Sequence, residues 1–217
     1  MKRVHVHLTL MLILILIHRA DTFAGEPVYL GLQTGPSFAT ATVSEPPVRT
    51  DVKSRTAYVI GGIVRMSLEN RMYIQTGVRY AQKGAKTNPQ VPGQALPATQ
   101  RYAYLEFPLM LGERFGPDEK LHLLFGPSIA FLLTAKSDVQ TSAGEKRRDI
   151  KRQTESTEVG LNVGIGGEHN IDPQIVLSAD LQYYVGLSQV NKSTSATDRS
   201  SWYSRELRLL VGVMYSL

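Results

Sequence analysis

The chain has 217 residues, with 24 Lys and Arg against 19 Asp and Glu, and a formal net charge of +5. Apolar residues make up 42% of the chain and charged residues 20%, which excludes a disordered protein. The mean hydropathy of −0.13 excludes a polytopic helical membrane protein, but it is compatible with a membrane β-barrel. Cysteine is absent, which excludes disulfides, cysteine zinc sites and lipidated cysteines.

The N-terminus has the pattern of a secretory signal peptide. Lys2 and Arg3 precede an apolar run at residues 8–17, which is too short for a membrane-spanning helix of about 20 residues. Thr22 and Ala24 are the small residues expected at the third and first positions before a cleavage site. We therefore predict a signal peptide at residues 1–24 and one domain at residues 25–217, with an uncleaved signal anchor as the alternative.

Beyond residue 24 the apolar residues alternate with a period of two, which is the pattern of β-strands. The alternation predicts eight strands, at residues 28–38, 57–68, 72–83, 101–113, 121–134, 157–169, 175–187 and 204–217. Strands of soluble proteins are usually about five or six residues long, whereas a tilted membrane-spanning strand needs about 9–11. The length of the predicted strands therefore favours a membrane barrel.

The two faces of the predicted strands differ in charge. One face is predominantly apolar, and the other carries most of the strand glycines. The charged residues selected on the second face are Arg65, Arg79, Glu106, Asp180, Glu206 and Arg208. Because eight strands leave a narrow lumen, we expect this face to point inward and its charges to pair, Arg79 with Glu106 and Asp180 with Arg208. Such a lumen is a structural plug or, alternatively, the lining of a small pore.

The predicted connections alternate between long and short. The long ones are residues 39–56, 84–100, 135–156 and 188–203, and the short ones are residues 69–71, 114–120 and 170–174. Long loops outside and short turns in the periplasm are typical of outer-membrane barrels. The predicted fold is therefore all-β, an eight-stranded antiparallel up-and-down transmembrane β-barrel in the cell outer membrane, with its first strand paired to its last.

One long connection carries a basic patch. Its residues are Lys146, Arg147, Arg148, Lys151 and Arg152. A run of charges in a connection is usually a solvated loop, and this is the first interpretation of the patch. The functional interpretation is contact with anionic lipopolysaccharide or with a partner protein.

Residues 102–111, YAYLEFPLML, resemble the "YLEIPLLL" strand of the PorT-like outer-membrane β-barrel domain family. Two further pieces are similar, QTGVRYAQKG at residues 75–84 and GPS at residues 126–128. The resemblance covers essentially the whole chain after the signal peptide. It implies a small outer-membrane barrel of a Gram-negative bacterium, and most members have no defined activity, although some are linked to a protein-secretion apparatus. The chain departs from many such barrels by ending in Leu217 rather than Phe.

No catalytic constellation is predicted. Beyond the signal peptide the histidines are His122 and His169, both next to short connections, and we expect both at the periplasmic rim. They could meet across neighbouring strands, but two ligands without a third make a poor metal site, so no metal, cofactor or catalytic residue is predicted. Nucleic acid is not an expected partner of an exported chain that has no basic helix.

The sequence thus predicts a non-enzymatic, monomeric outer-membrane barrel whose polar outer loops are its contact surface. The expected partners are outer-membrane lipids and lipopolysaccharide or another envelope protein. Three alternatives remain open at this point. They are a narrow channel or secretion-apparatus component, a soluble lipocalin-like barrel with its apolar face inward, and an outer-membrane lipid-modifying enzyme.

Overall fold

A computed structural model describes residues 27–44, 50–68, 71–89, 96–116, 120–141, 144–192 and 200–217. The predicted signal peptide lies outside these ranges and stays a prediction. The described strands are β1 (Val28–Ser44), β2 (Thr50–Lys53), β3 (Arg55–Ser67), β4 (Met72–Lys83), β5 (Lys86–Pro89), β6 (Ala98–Phe115), β7 (Leu121–Thr141), β8 (Gly144–Asp149), β9 (Thr157–Asn170), β10 (Ile175–Gly186) and β11 (Ser201–Ser216). In the described ranges no helix has the length and apolarity to cross a membrane.

Eight of these strands close into a ring. The order around the ring is β1, β3, β4, β6, β7, β9, β10 and β11, and every neighbouring pair is antiparallel. β11 returns to β1 along a seam that runs from Tyr29 opposite Ser216 to Ser44 opposite Ser201. Closure leaves the barrel no unpaired edge, which a hydrocarbon environment would not tolerate. The predicted eight-stranded antiparallel up-and-down barrel is confirmed.

The two faces of each strand are sorted as the alternation predicts. On β11 the side chains of Leu207, Leu209 and Val211 are 42%, 50% and 55% exposed, whereas Arg208 and Leu210 between them are fully buried. The other ring strands repeat this pattern, so an exposed apolar belt surrounds the barrel. A soluble lipocalin-like barrel requires the opposite arrangement, and the structure excludes that alternative.

The extracellular end is more ordered than the sequence predicts. The connections at residues 39–56, 84–100 and 135–156 were expected to be loops, but β1, β6 and β7 continue above the belt, and the short strands β2, β5 and β8 pair there. β2 pairs with β5, β5 with β6, and β8 with β7. The expectation was wrong because these strands are polar on both faces, so the apolar alternation used to find strands stops at the membrane boundary.

A bulge in β7 marks this boundary. The pairing with β6 steps from Thr134 opposite Ala103 to Leu132 opposite Tyr104, which leaves Leu133 without an opposite residue. Leu133 and Thr134 are therefore both exposed, and the alternation of β7 is reversed above them. The membrane-spanning part of β7 ends at Leu133, and Lys136 beyond it faces outward.

Candidate functional site

The lumen holds all six charged residues that the sequence places on the inner face. Each is at most 1% exposed. They do not form one network but two clusters at different depths. The central cluster consists of Arg79, Lys83, Glu106, Glu158, Glu206 and Arg208. The periplasmic cluster consists of Arg65, Arg114, His122, Glu168 and Asp180.

Arg208 organises the central cluster. Its Nη1 and Nη2 donate to the two carboxylate oxygens of Glu106, at 2.7 and 2.8 Å. Its Nε and Nη2 also donate to Glu206, at 3.1 and 3.2 Å. Arg208 lies on β11 and Glu106 on β6, which are opposite each other in the ring of eight. The ion pair therefore crosses the full width of the lumen, and its bidentate geometry is the strongest that an arginine offers to a carboxylate.

Arg79 is a neighbour of Glu106 but not its main partner. The two residues are opposite each other in the register of β4 and β6, as expected, with Arg79 Nη1 3.9 Å from Glu106 Oε1. Arg79 Nη1 donates instead to Oε1 of Gln182 at 3.2 Å. Its Nε and Nη2 have no hydrogen-bond partner among the described residues. Arg79 is thus less completely paired than Arg208.

Lys83 belongs to the central cluster although the sequence analysis did not select it. Its ammonium lies 3.2 Å from Glu158, 3.5 Å from Glu206 and 3.6 Å from Glu106. It also lies 3.5 Å from the ring centroid of Tyr184, whose hydroxyl donates to Glu158 at 2.8 Å. The signal was present, because Lys83 follows Arg79 by four residues and therefore shares its face of the strand.

Asp180 lies in the periplasmic cluster, and the expected pair with Arg208 is wrong. Asp180 is opposite Leu210 in the register of β10 and β11, and Arg208 is opposite Gln182. One carboxylate oxygen of Asp180 is 2.6 Å from His122 Nε2, and the other accepts from Gln33 Nε2 at 2.5 Å. The stagger of the two strands thus separates the two charges by depth.

His122 was expected at the periplasmic rim, but it lies inside the barrel. It is fully buried, and its Nδ1 lies 3.1 Å from Glu168 Oε1. Its position was predicted from the nearby turn alone, whereas its alternation with Leu124 places it on the inner face. His169 lies on the outer face of β9 and is exposed, so the wall of the barrel separates the two histidines. Within the described ranges no three His, Asp or Glu side chains form a group able to hold a metal ion.

Glu168 gathers the remaining cations of the periplasmic cluster. It accepts from Arg65 and lies 3.5 Å from Nε of Arg114. Both guanidinium groups stack on the ring of Tyr73, at 4.2 and 4.9 Å from its centroid. Arg65 lies on β3 and Glu168 on β9, which are also opposite each other in the ring. A second ion pair therefore crosses the lumen below the first.

The inward glycines make room for these large side chains. A Cβ at Gly160 would overlap the Tyr184 ring, and one at Gly112 would overlap the Tyr73 ring. A Cβ at Gly166 would meet the side chains of both Asp180 and His122. Gly112, Gly160 and Gly166 thus leave the space that these lumen side chains occupy, as glycine in a strand often indicates a close approach.

The predicted basic patch is part of an ordered hairpin. Lys146, Arg147 and Arg148 lie on β8, and Lys151 and Arg152 on a single 3-10 turn (Lys151–Gln153), all of them exposed. The patch is divided between two faces, because Arg147 pairs with outward-facing Asp138 while Lys146 and Arg148 alternate to the other side. Lys151 donates to the Leu133 carbonyl at 2.7 Å.

The comparisons with known proteins agree with the barrel. The family model described as "Outer membrane protein beta-barrel domain" matches residues 20–192. No curated protein matches the sequence.

Three solved structures illustrate the structural similarity. A major outer membrane protein from Thermus thermophilus is 12% identical, with 88% of this chain and 99% of that chain covered and a TM-score of 0.49. OprG from Pseudomonas aeruginosa is 9% identical (90% and 98% covered, TM-score 0.47), and the protease OmpT from Escherichia coli is 8% identical (88% and 97% covered, TM-score 0.43). Since the family model spans most of the sequence, the chain belongs to the outer membrane protein β-barrel domain family and is an integral protein of the cell outer membrane.

Proposed function

We propose that the protein is a non-enzymatic, non-conducting, monomeric barrel of the PorT-like type that holds an ordered extracellular contact surface at the outer membrane. The main support for a closed lumen is that two ion pairs cross it, at two different depths. Arg208 with Glu106 and Arg65 with Glu168 each join opposite walls of the ring. A pore requires a continuous water-filled path, and these bridges stand across it.

The charges of the lumen support the same proposal. In the central cluster three cations face three carboxylates, and in the periplasmic cluster Arg65 and Arg114 face Glu168 and Asp180. A selectivity lining has an excess of one sign, whereas balanced and paired charges are what a buried structural network needs. His122, the one described histidine of the lumen, contacts both Asp180 and Glu168, which supports a structural role.

The extracellular strands support the contact surface. β8 and the turn after it are exposed along their whole length. Arg147 lines a separate pocket on the outer wall, which the other four basic residues of the patch do not line. These residues are Lys146, Arg148, Lys151 and Arg152. A cationic surface on a strand-paired hairpin is suited to an anionic envelope component, such as lipopolysaccharide or an acidic face of another envelope protein.

We expect the purified protein to give no stable conductance step in planar lipid bilayers, because charged side chains fill the lumen. A general porin in the same bilayers is the positive control. The second candidate, a narrow channel, predicts a stable step whose size or ion preference changes in Glu106→Ala. That result would overturn the closed-lumen proposal.

The contact surface predicts a localised loss of anion binding. Protein in phosphatidylcholine nanodiscs is loaded on a dextran sulfate column, and we expect Lys146→Gln/Arg148→Gln to elute at clearly lower salt than the wild type. The matched control is Lys53→Gln/Lys86→Gln, which removes the same charge from two exposed lysines that are opposite each other on β2 and β5. Equal shifts for the two variants would show a response to net charge alone and would contradict a localised surface.

A further inference from the structure

A polar cavity lies on the outer wall, at the extracellular boundary of the apolar belt. It has a volume of about 260 Å³, and its lining includes three exposed cations, Arg101, Lys136 and Arg147. It also includes the buried Arg55, whose Nη1 donates to the Lys83 carbonyl at 2.7 Å. Tyr80 contributes to the same lining. This cavity belongs neither to the lumen clusters nor to the side of the hairpin that carries Lys146 and Arg148.

The bulge in β7 and the strand pairing bring these cations together. Lys136 faces outward only because the alternation of β7 is reversed above Leu133. Arg101 is opposite Lys136 on β6, and Arg147 is opposite Asp138 on β8. Three neighbouring strands thus contribute one cation each to a single outward face, while the small residues Ala103 and Thr134 leave the space between them.

Asp138 orients two of the guanidinium groups. It accepts from Arg147 Nε at 2.6 Å and from Arg101 Nε at 2.8 Å, and its own side chain is 1% exposed. The hydrogen bond from Arg147 holds the pKa of this extracellular carboxyl below its ordinary value, so Asp138 stays ionised. The arginine side chains themselves remain 49% and 60% exposed, which leaves nitrogens free for a ligand.

The cavity has more positive than negative charge. The three exposed cations and the buried Arg55 line it. The carboxylates nearby are Asp138 beneath two of the arginines, Asp149 opposite Lys136, whose Oδ1 accepts from the Lys151 backbone, and Glu145 on the same face of β8 as Arg147. The remaining positive charge favours the binding of an anion. Guanidinium forks match the oxygens of a phosphate in a bidentate manner, and lysine adds a point charge.

The height of the cavity indicates where the anion comes from. Thr134 lines it and directly follows Leu133, which is 40% exposed on the belt, and Phe131 just below is 44% exposed. Tyr80 packs against Tyr58 at 5.7 Å between ring centroids, in the position of an interfacial aromatic girdle. The cavity thus opens at the level where lipid headgroups of the outer leaflet lie.

We propose that Arg101, Lys136 and Arg147 form a binding site for the phosphate group of an outer-leaflet lipid headgroup. The site is independent of the proposed contact function, because it uses the membrane-facing side of the extracellular strands. It would fix one phosphorylated lipid against the wall formed by β6, β7 and β8. The lipid would thereby shield cations that otherwise face one another.

The test is native mass spectrometry of the detergent-solubilised barrel with lipid A that carries its two phosphates. We expect the wild type to retain one lipid A molecule. Enzymatically dephosphorylated lipid A should bind at least about tenfold more weakly. Arg101→Gln/Arg147→Gln should lose a similar factor. Lys136→Gln, which leaves both partners of Asp138 in place, should weaken binding severalfold. The matched control Lys53→Gln/Lys86→Gln, which removes two exposed lysines outside this cavity and outside the contact surface, should bind as the wild type does.

Folding is checked by the gel shift between unboiled and boiled samples. Equal binding of phosphorylated and dephosphorylated lipid A, or unchanged binding by a folded Lys136→Gln variant, would overturn the proposal. The last part of the experiment is competition between lipid A and free inorganic phosphate. If it displaces lipid A at the concentration at which lipid A itself binds, the cavity is a site for soluble anions rather than for a lipid. A conducting wild type would disprove the closed lumen and leave this result unaffected.

Discussion

Replacement of Arg208 by methionine is expected to lower the free energy of unfolding by about 3–5 kcal/mol, because it leaves buried carboxylates without their cation. Arg208 donates to both Glu106 and Glu206, and all three side chains are fully buried. Methionine keeps the packing of the aliphatic part of the side chain but lacks the guanidinium group. Most of the loss should therefore come from the carboxylates of Glu106 and Glu206, which remain buried without this cation.

The measurement is urea unfolding of the refolded protein in lipid vesicles, with the gel shift on boiling as the test of folding. Arg148→Met on the exposed hairpin is the matched control and should change the free energy by about 0.5 kcal/mol or less. Arg79→Met should cost less than Arg208→Met, since two of the Arg79 nitrogens have no partner among the described residues. A cost for Arg208→Met no larger than for the control would contradict the cross-lumen pair.

Gly160→Ala is expected to destabilise the barrel by about 1–3 kcal/mol, because the added methyl overfills a packed lumen. Its Cβ would overlap the ring of Tyr184, which donates to Glu158 and lies under the Lys83 ammonium. Displacing the ring therefore also disturbs the central cluster. Urea unfolding and the gel shift measure the effect here as well.

A second variant separates steric overlap from a general intolerance of the strand. In a Tyr184→Leu background the methyl at Gly160 no longer meets a ring, so its cost should fall by about 1 kcal/mol or more. Gly62→Ala is the matched control. Its Cβ would have only the Gly31 carbonyl nearby, at 3.9 Å, and should be tolerated. If the destabilisations caused by Gly160→Ala and Tyr184→Leu simply add in the double variant, the proposed overlap between the added methyl and the Tyr184 ring is ruled out.

The wall of the barrel was predictable because a membrane imposes a strict period of two. Every spanning strand has to present apolar side chains to lipid and small or polar ones to the lumen, so the eight strands and their inner charges follow from alternation alone. The extracellular strands were not predictable in this way. β8, for example, is exposed on both faces, and nothing in its composition distinguishes a strand from a loop.

The partners within the lumen were much harder to infer. Sequence reasoning pairs residues of neighbouring strands, as it did for Arg79 and Glu106, but the bidentate partner of Glu106 comes from the opposite wall. Contacts across the lumen depend on the stagger of all the strands in the ring, and no local sequence pattern encodes that stagger. His122 was misplaced for a simpler reason, since its distance from a turn was given more weight than its face of the strand.

At the bulge at Leu133 the alternation of inward and outward side chains on β7 shifts by one residue, so the membrane-spanning part and the part above it alternate independently. Below it, the even-numbered residues of β7 point into the lumen, and above it the odd-numbered ones do. The one unpaired residue thereby makes the inward and outward positions of the outer hairpin independent of those in the membrane. A change of length or composition in the hairpin would therefore leave the register of the spanning strands unchanged. The boundary between the lipid-facing part and the water-facing part of β7 is thus a shift of a single residue.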